Sequence, residues 1–347
     1  MKKILWIILA LIFVMTGFAC SAPAISVDMF RPWNGVFEKA TYEVSYYYYL
    51  ENDQPQNSAL EIIKDPLDDN KPKIKIASGT MDYIIEQADP ENNTWKLSTN
   101  LAITYVPETD LSEEVLGEPE YTAFTNAKNQ IGLEKLGKED KMNSSVVFDM
   151  NAGKLFRPIS VTKSFENLEY SFDYTARKFT YKLKDAEEQS KSFKPKEVKS
   201  GYDNEQLFLY VRALDKNSYG PGASMTISPV YNWTDAVGLK NPASYKINMS
   251  IDKEWKTIPV SESFLPYVQD KGMLTDDRLS VYEVTLSKAS TNEAGTPLKV
   301  WYSKMNIDTN NIFADKLMIK AVQNTMDVST VRKIFSVSYD IASLEIN

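Results

Sequence analysis

The sequence has no histidine. That removes Ser-His-Asp and Cys-His catalysis, His-containing zinc sites and haem-His ligation together, because each needs an imidazole. Carboxylate, lysine, serine and tyrosine chemistry remain. Gly132-Leu133-Glu134-Lys135-Leu136-Gly137-Lys138 has the spacing of a phosphate-binding loop, but Glu139 stands where a Ser or Thr would hold magnesium. A carboxylate there repels phosphate, and no strong strand leads into the segment, so the spacing reads as chance. Ser160 to Lys163 and Ser250 to Lys253 have the Ser-x-x-Lys spacing of active-site-serine peptidases. Both lie in strand-like alternation without a Lys-Thr-Gly partner and read as surface residues. The acidic pairs Asp68-Asp69, Glu113-Glu114, Glu187-Glu188 and Asp276-Asp277 have the residue type that cuts glycosidic bonds. Neighbouring carboxylates on a loop more simply solvate it, and Asp68, Asp69 and Asn70 do not complete a calcium loop. The expectation is no catalytic residue, no metal site and no cofactor. Tyr46 to Tyr49, Trp95, Trp233, Trp255 and Trp301 can line a ligand cavity or stack on sugar; as aromatic strand residues they are expected in the core.

The single cysteine, Cys20, carries the clearest chemistry. Lys2 and Lys3 precede an apolar run from Ile4 to Val14, and Thr16-Gly17-Phe18-Ala19 leads into Cys20. This reads as a signal peptide over residues 1–19, its apolar run too short to span a bilayer comfortably. The junction resembles the lipobox of bacterial lipoproteins, in which the leader is cut before a cysteine whose thiol carries diacylglycerol. Cys20 is then the lipidation site, and two or more acyl chains hold a protein firmly at a membrane. Residues 20–34, with Pro23 and Pro32 and no periodic pattern, read as the tether. The implied address is the cell envelope, outside the cytoplasm. With no second cysteine, disulfides are excluded and stability must come from packing.

Composition agrees with a globular domain: 43% hydrophobic and 25% charged residues, with Tyr 20, Phe 15 and Trp 6 favouring strands. The formal net charge of −8 becomes more negative when Lys2 and Lys3 leave with the leader. Nucleic acid is not an expected partner, because phosphate binding needs a concentrated basic surface. The Lys-rich stretch 182–199 is interleaved with Asp185, Glu187, Glu188 and Glu197 and reads as a solvated hinge.

The elements that must position any site are strands, with one exception. Period-2 alternation and turn residues predict strands near 37–50, 73–88 and 94–106, then a meander over 145–186. Further strands are predicted near 223–231, 244–251, 254–260, 279–286, 298–302, 317–323 and 332–346. Residues 52–72 read as a loop, with a short strand possible at 59–64. The acidic, glycine-punctuated segment 108–141 reads as a long insertion or flap without a good core face. Between the two strand-rich halves, 35–186 and 187–347, Asp203 to Leu214 is predicted as a helix. Asp203 and Gln206 have capping-box spacing, and Leu207, Phe208, Val211 and Leu214 form one apolar stripe. The expected fold is mainly β: a large curved antiparallel sheet or half-barrel with one covering helix, either continuous or as two strand-rich halves.

The helix segment Tyr202-Asp203-Asn204-Glu205-Gln206-Leu207-Phe208-Leu209-Tyr210-Val211-Arg212-Ala213-Leu214 resembles the central signature of an uncharacterised bacterial envelope family, a domain of unknown function. Leu155-Phe156-Arg157-Pro158-Ile159-Ser160, Leu298-Lys299-Val300-Trp301-Tyr302 and Leu317-Met318-Ile319-Lys320 resemble its strands. That family is similar in architecture to the half-barrels of lipoprotein carriers and lipid-carrier lipoproteins. The resemblance implies an apolar cavity between sheet and helix and transfers no catalytic motif.

The functional expectation is a non-enzymatic lipoprotein that binds an apolar or amphiphilic envelope molecule, with Leu207, Phe208, Val211 and Leu214 as candidate contacts. One alternative is a cell-surface structural protein that binds glycan or another protein. A second is a histidine-free hydrolase using two carboxylates.

Overall fold

In the computed structural model the described residues are 37–51, 61–68, 70–131, 135–151, 156–212, 214, 220–237, 244–288, 297–304, 316–327 and 332–346. Cys20, the leader and the tether lie outside them, as do residues 59 and 60 of the possible short strand. The first half supplies β1 (Phe37–Tyr49), β2 (Lys73–Asp89), β3 (Thr94–Tyr105), β4 (Glu139–Asp149), β5 (Arg157–Phe165), β6 (Leu168–Asp173), β7 (Lys178–Leu183) and β8 (Gln189–Ser192). The second supplies β9 (Tyr202–Asp203), β10 (Ser224–Tyr231), β11 (Ser244–Ile251), β12 (Lys256–Pro259), β13 (Leu274–Thr275), β14 (Arg278–Lys288), β15 (Leu298–Ser303), β16 (Met318–Asp327) and β17 (Arg332–Ile346). The helices are α1 (Glu113–Leu116), α2 (Glu118–Ile131), α3 (Leu207–Arg212) and α4 (Leu265–Gln269).

The strands form one sheet, and its centre is the meeting of the chain's two ends. β1 pairs antiparallel with β2 on one side and with β17 on the other. From β1 the sheet runs outward through consecutive antiparallel neighbours to β8. In the other direction it runs through β17, β16, β15 and β14 to β11 and β10. Two-residue β9 pairs with β10 in parallel. The two strand-rich halves of the sequence are thus one curved, almost wholly antiparallel sheet.

Curvature brings the β10 end back onto the inner face of β4–β7. Val146, Val161, Phe172 and Phe179 are register partners across β4, β5, β6 and β7, so strand alternation puts them on one face. Trp233, just beyond β10, stacks on Phe172 with ring centroids 3.6 Å apart. Tyr231 and Phe193 also pack on the Trp233 ring. Its indole N–H donates to the Tyr174 hydroxyl at 2.9 Å, so burial leaves that polar atom satisfied. Phe193 and Val198 are buried here, so the Lys-rich stretch expected to be a solvated hinge in fact carries β8 and two core residues.

One further expectation is corrected. Residues 108–141 do have a core face: Leu111, Leu116, Phe124 and Ala127 are buried, and the Phe124 ring meets Tyr48 edge-on at 5.1 Å. The partly helical periodicity of this segment corresponds to α1 and α2, whose sparse apolar residues cover the barrel end where β1 finishes. Tyr48 and Tyr49 are both buried because both faces of the strand are covered there: the Tyr48 ring meets Phe124 and Phe335, whereas Tyr49 bonds Asp68 and Asn324.

Because Trp233 joins strands far apart in the sheet, Trp233→Ala should cost about 3–5 kcal/mol in urea unfolding, the usual scale for deleting a buried tryptophan. A loss below about 1 kcal/mol would mean that this cluster does not close the sheet.

Candidate functional site

Helix α3 is where sequence and structure agree most closely. Asp203 accepts from the Glu205 amide at 3.0 Å, and the Gln206 side chain accepts from the Asp203 amide at 3.1 Å, so the predicted capping box forms. A short 3-10 turn, Asn204–Gln206, precedes the six residues of α3. The helix does not lie on the sheet by one stripe, however. Leu207, Leu209, Tyr210, Val211 and Arg212 are all buried, so the sheet wraps the helix on nearly every side.

Polar bonds from separate strands fix α3 inside. Ser144 of β4 donates to Glu205 at 3.0 Å, and Lys163 of β5 pairs with it at 2.6 Å. The Tyr302 hydroxyl, on β15, donates to the Phe208 carbonyl at 3.0 Å. The Lys316 ammonium, just before β16, donates to the Leu214 carbonyl. At the C-terminal end the Arg212 guanidinium donates to both oxygens of Glu38, on β1, at 2.7 and 3.0 Å. Glu38 is 0% and Arg212 5% exposed, which makes this a desolvated ion pair in the middle of the fold.

Burial pushes the Glu38 carboxyl upward, while the adjacent guanidinium opposes that rise. Burial likewise disfavours charge on Arg212, but the Glu38 carboxylate more than offsets it. Arginine does not shed its proton in proteins, so the forked geometry holds an ionised pair. The Tyr83 hydroxyl, on β2, is buried and has no hydrogen-bond partner among the described residues. Its ring lies edge-on to Phe208 at 6.5 Å, and burial raises its phenol well above the ordinary range.

Of the candidate contacts, Leu207, Val211 and Leu214 are packed in the core, whereas Phe208 is half-buried beside Tyr83. Trp95, Trp233 and Trp301 are core residues, and Trp255 is 50% exposed with Lys304 over its ring at 4.3 Å. Asp68 is buried against Lys73 and Lys333 at 2.8 and 3.1 Å and bonds Tyr49 and Asn324. Burial would raise its pKa, but those partners prevail and hold it at about 2, so Asp68 is an ion-paired anchor at the barrel end. Its sequence neighbour Asp69, and Gly132 to Glu134 of the phosphate-loop spacing, lie outside the described residues. Lys163 of the first Ser-x-x-Lys is taken by Glu205. Among the described residues no helix is long and apolar enough to cross a membrane.

The sequence reading did not single out Glu38, Tyr83 or Arg212. Glu38 could have been found: it is in strand phase with Ala40, Tyr42 and Val44, so a carboxylate sits on an apolar face and demands a cation. Breaking such a pair leaves a buried charge, so Glu38→Ala and Arg212→Ala should each cost about 3–5 kcal/mol in urea unfolding. The double replacement Glu38→Met with Arg212→Met should cost less than either; a simple sum of the two losses would deny the coupling.

Asp203 yields a pH prediction. Burial pushes its carboxyl from the ordinary 3.8 to about 7, aided by Glu205 and opposed by the Glu205 amide, Tyr174 and Lys163. The folded state therefore holds a proton that the unfolded chain has lost between about pH 4 and 7, and stability falls as pH rises through that window. The melting temperature should rise on going from pH 8 to 5, and Asp203→Asn, which keeps a capping side chain, should flatten that rise. An unchanged slope in the variant would remove Asp203 as its source.

No family model matches the chain, and no curated protein matches it. Among solved structures it is similar to a beta-barrel-like protein of a domain of unknown function, DUF1849, from Brucella abortus: 9% identity, 90% of this chain, 98% of that chain, TM-score 0.46. It is also similar to a putative outer membrane lipoprotein-sorting protein domain from Vibrio parahaemolyticus: 9% identity, 92% of this chain, 88% of that chain, TM-score 0.20. These likenesses are remote, and no residue role is carried over from either.

Proposed function

We propose that this protein is a non-enzymatic lipoprotein of the cell envelope, held at a membrane through Cys20, that binds an apolar or amphiphilic envelope molecule alongside helix α3. The observation that carries the reading is the pairing of Phe208 with Tyr83. Phe208 is the half-buried member of the helix stripe, and the phenol beside it has a buried hydroxyl without a hydrogen-bond partner among the described residues. Buried hydroxyls are nearly always hydrogen-bonded, so an acceptor beyond the described residues is called for, and a ligand oxygen can be that acceptor. An amphiphile meets both demands: its polar oxygen takes the Tyr83 hydroxyl and its apolar part covers Phe208. Leu207, Val211 and Leu214 back that contact from the core, and the ligand's polar end must displace neighbouring side chains to reach the buried Tyr83 hydroxyl.

The proposal involves no chemistry on the ligand. The carboxylates buried among the described residues are engaged: Glu38 with Arg212, Asp68 with Lys73 and Lys333, Asp203 with the Tyr174 hydroxyl and the Glu205 amide, and Glu120 with the Glu51 amide. Anchoring rests on the sequence, through Cys20 at the end of the leader.

Full-length protein gently purified from its native membrane should carry a lipid or other amphiphile at near-stoichiometric amount by mass spectrometry. Phe208→Ala should lower that content severalfold while the fold, by circular dichroism, persists. Protein that carries no amphiphile and takes up none from mixed phospholipid micelles would overturn the reading. For the anchor, Cys20→Ala should move the protein from the membrane fraction to the soluble fraction and abolish labelling by radioactive palmitate. Unchanged fractionation and labelling would contradict lipidation at Cys20.

A further inference from the structure

On the face of β3–β7 opposite the core, the register lines up short polar side chains into rows that cross the strands. One row is Ser98, Ser145, Thr162, Ser171 and Thr180, each the pairing partner of the next. The row beside it is Asn100, Asn143, Ser164, Glu169 and Lys182, again partner to partner. These short side chains form the floor of a groove of ≈ 470 Å³. Such a volume is in the range of small-ligand sites, but those are mostly apolar, whereas this floor is hydroxyl and amide, bordered by Tyr170 and Tyr181 and by charged residues that include Glu188.

The charges on the groove favour an uncharged occupant. Lys96 is paired with Glu86 at 3.0 Å, and Lys163 with Glu205 at 2.6 Å. Glu169 and Lys182 are direct register partners on neighbouring strands, so their charges offset each other. A phosphate or polyanion would find no uncompensated cluster of cations. A ligand that both donates and accepts many hydrogen bonds fits instead, because each hydroxyl offers one donor and two lone pairs and each amide both functions. Neighbouring strands lie about 4.8 Å apart, so polar groups recur across the groove at that interval. A linear chain of pyranose rings, which presents hydroxyls at a similar repeat, matches this spacing.

We infer that the β3–β7 groove binds a neutral glycan chain lying across the strands, with the Ser98–Thr180 row as its floor. This site is on the opposite side of the sheet from α3 and is independent of the amphiphile reading. In the envelope, a surface that grips glycan would hold the lipid-anchored protein against a saccharide layer.

The test uses the full-length mature protein in detergent and saturation-transfer NMR with maltohexaose, cellohexaose and chitohexaose as probes. At least one should receive saturation from the protein and bind in the millimolar range or tighter. Thr162→Arg, which puts a long side chain at an exposed position in the middle of the floor, should weaken that binding by about tenfold or more. Ser171→Arg should do the same one strand away, and both should leave the amphiphile content and the melting temperature as in wild type. Failure of all three hexasaccharides to bind would overturn the proposal, as would binding that neither arginine variant weakens.

Discussion

The Glu38–Arg212 pair is the constraint on which the rest of the interior depends. Removing two charges from water is expensive, and their attraction repays the cost only in good geometry. Here the guanidinium forks onto both carboxylate oxygens at 2.7 and 3.0 Å. That fixes the C-terminal end of α3 against β1, the strand at which the two ends of the chain meet. Glu205 fixes the other end against β4 and β5 through Ser144 and Lys163. A helix of six residues has little stability of its own, so these tertiary bonds and the burial of Leu209 and Val211 must hold it.

With the helix as an inner post, the sheet does not need a second layer to bury its concave face. The inner residues of β1–β4 and β14–β17 share one core with α3, and the remaining seam is filled by aromatic rings around Trp233. The two are linked: Asp203, the helix cap, accepts from the Tyr174 hydroxyl, which accepts in turn from Trp233. Helix start, seam and sheet edge therefore share one chain of hydrogen bonds.

Much of this was legible in the sequence because its signals are local. The capping box needs two side chains three residues apart, and β11 and β17 were predicted to the residue by period-2 patterning and turn residues. What was hidden depends on partners far away in the chain. Arg212 and Glu38 are 174 residues apart, so a charge on an apolar strand face signalled a need without naming what meets it. The stripe on α3 misled for the same reason: one apolar face was expected, while Tyr210 and Arg212 are buried as well because strands approach from several sides. The cover formed by 108–131 went unseen because a few apolar residues, chiefly Leu111, Leu116 and Phe124, do the packing in an acidic context.

Helix α3 is held as a fixed post, beside which the proposed ligand would bind, and not as a door that swings open. Amide hydrogen exchange measures the difference directly, since local opening and global unfolding set different protection. The amides of Leu209 to Arg212 should exchange as slowly as those of β1 and β2, and Arg212→Ala should speed exchange in helix and strands together. Helix amides that exchange far faster than the strands in the wild-type protein would contradict the account.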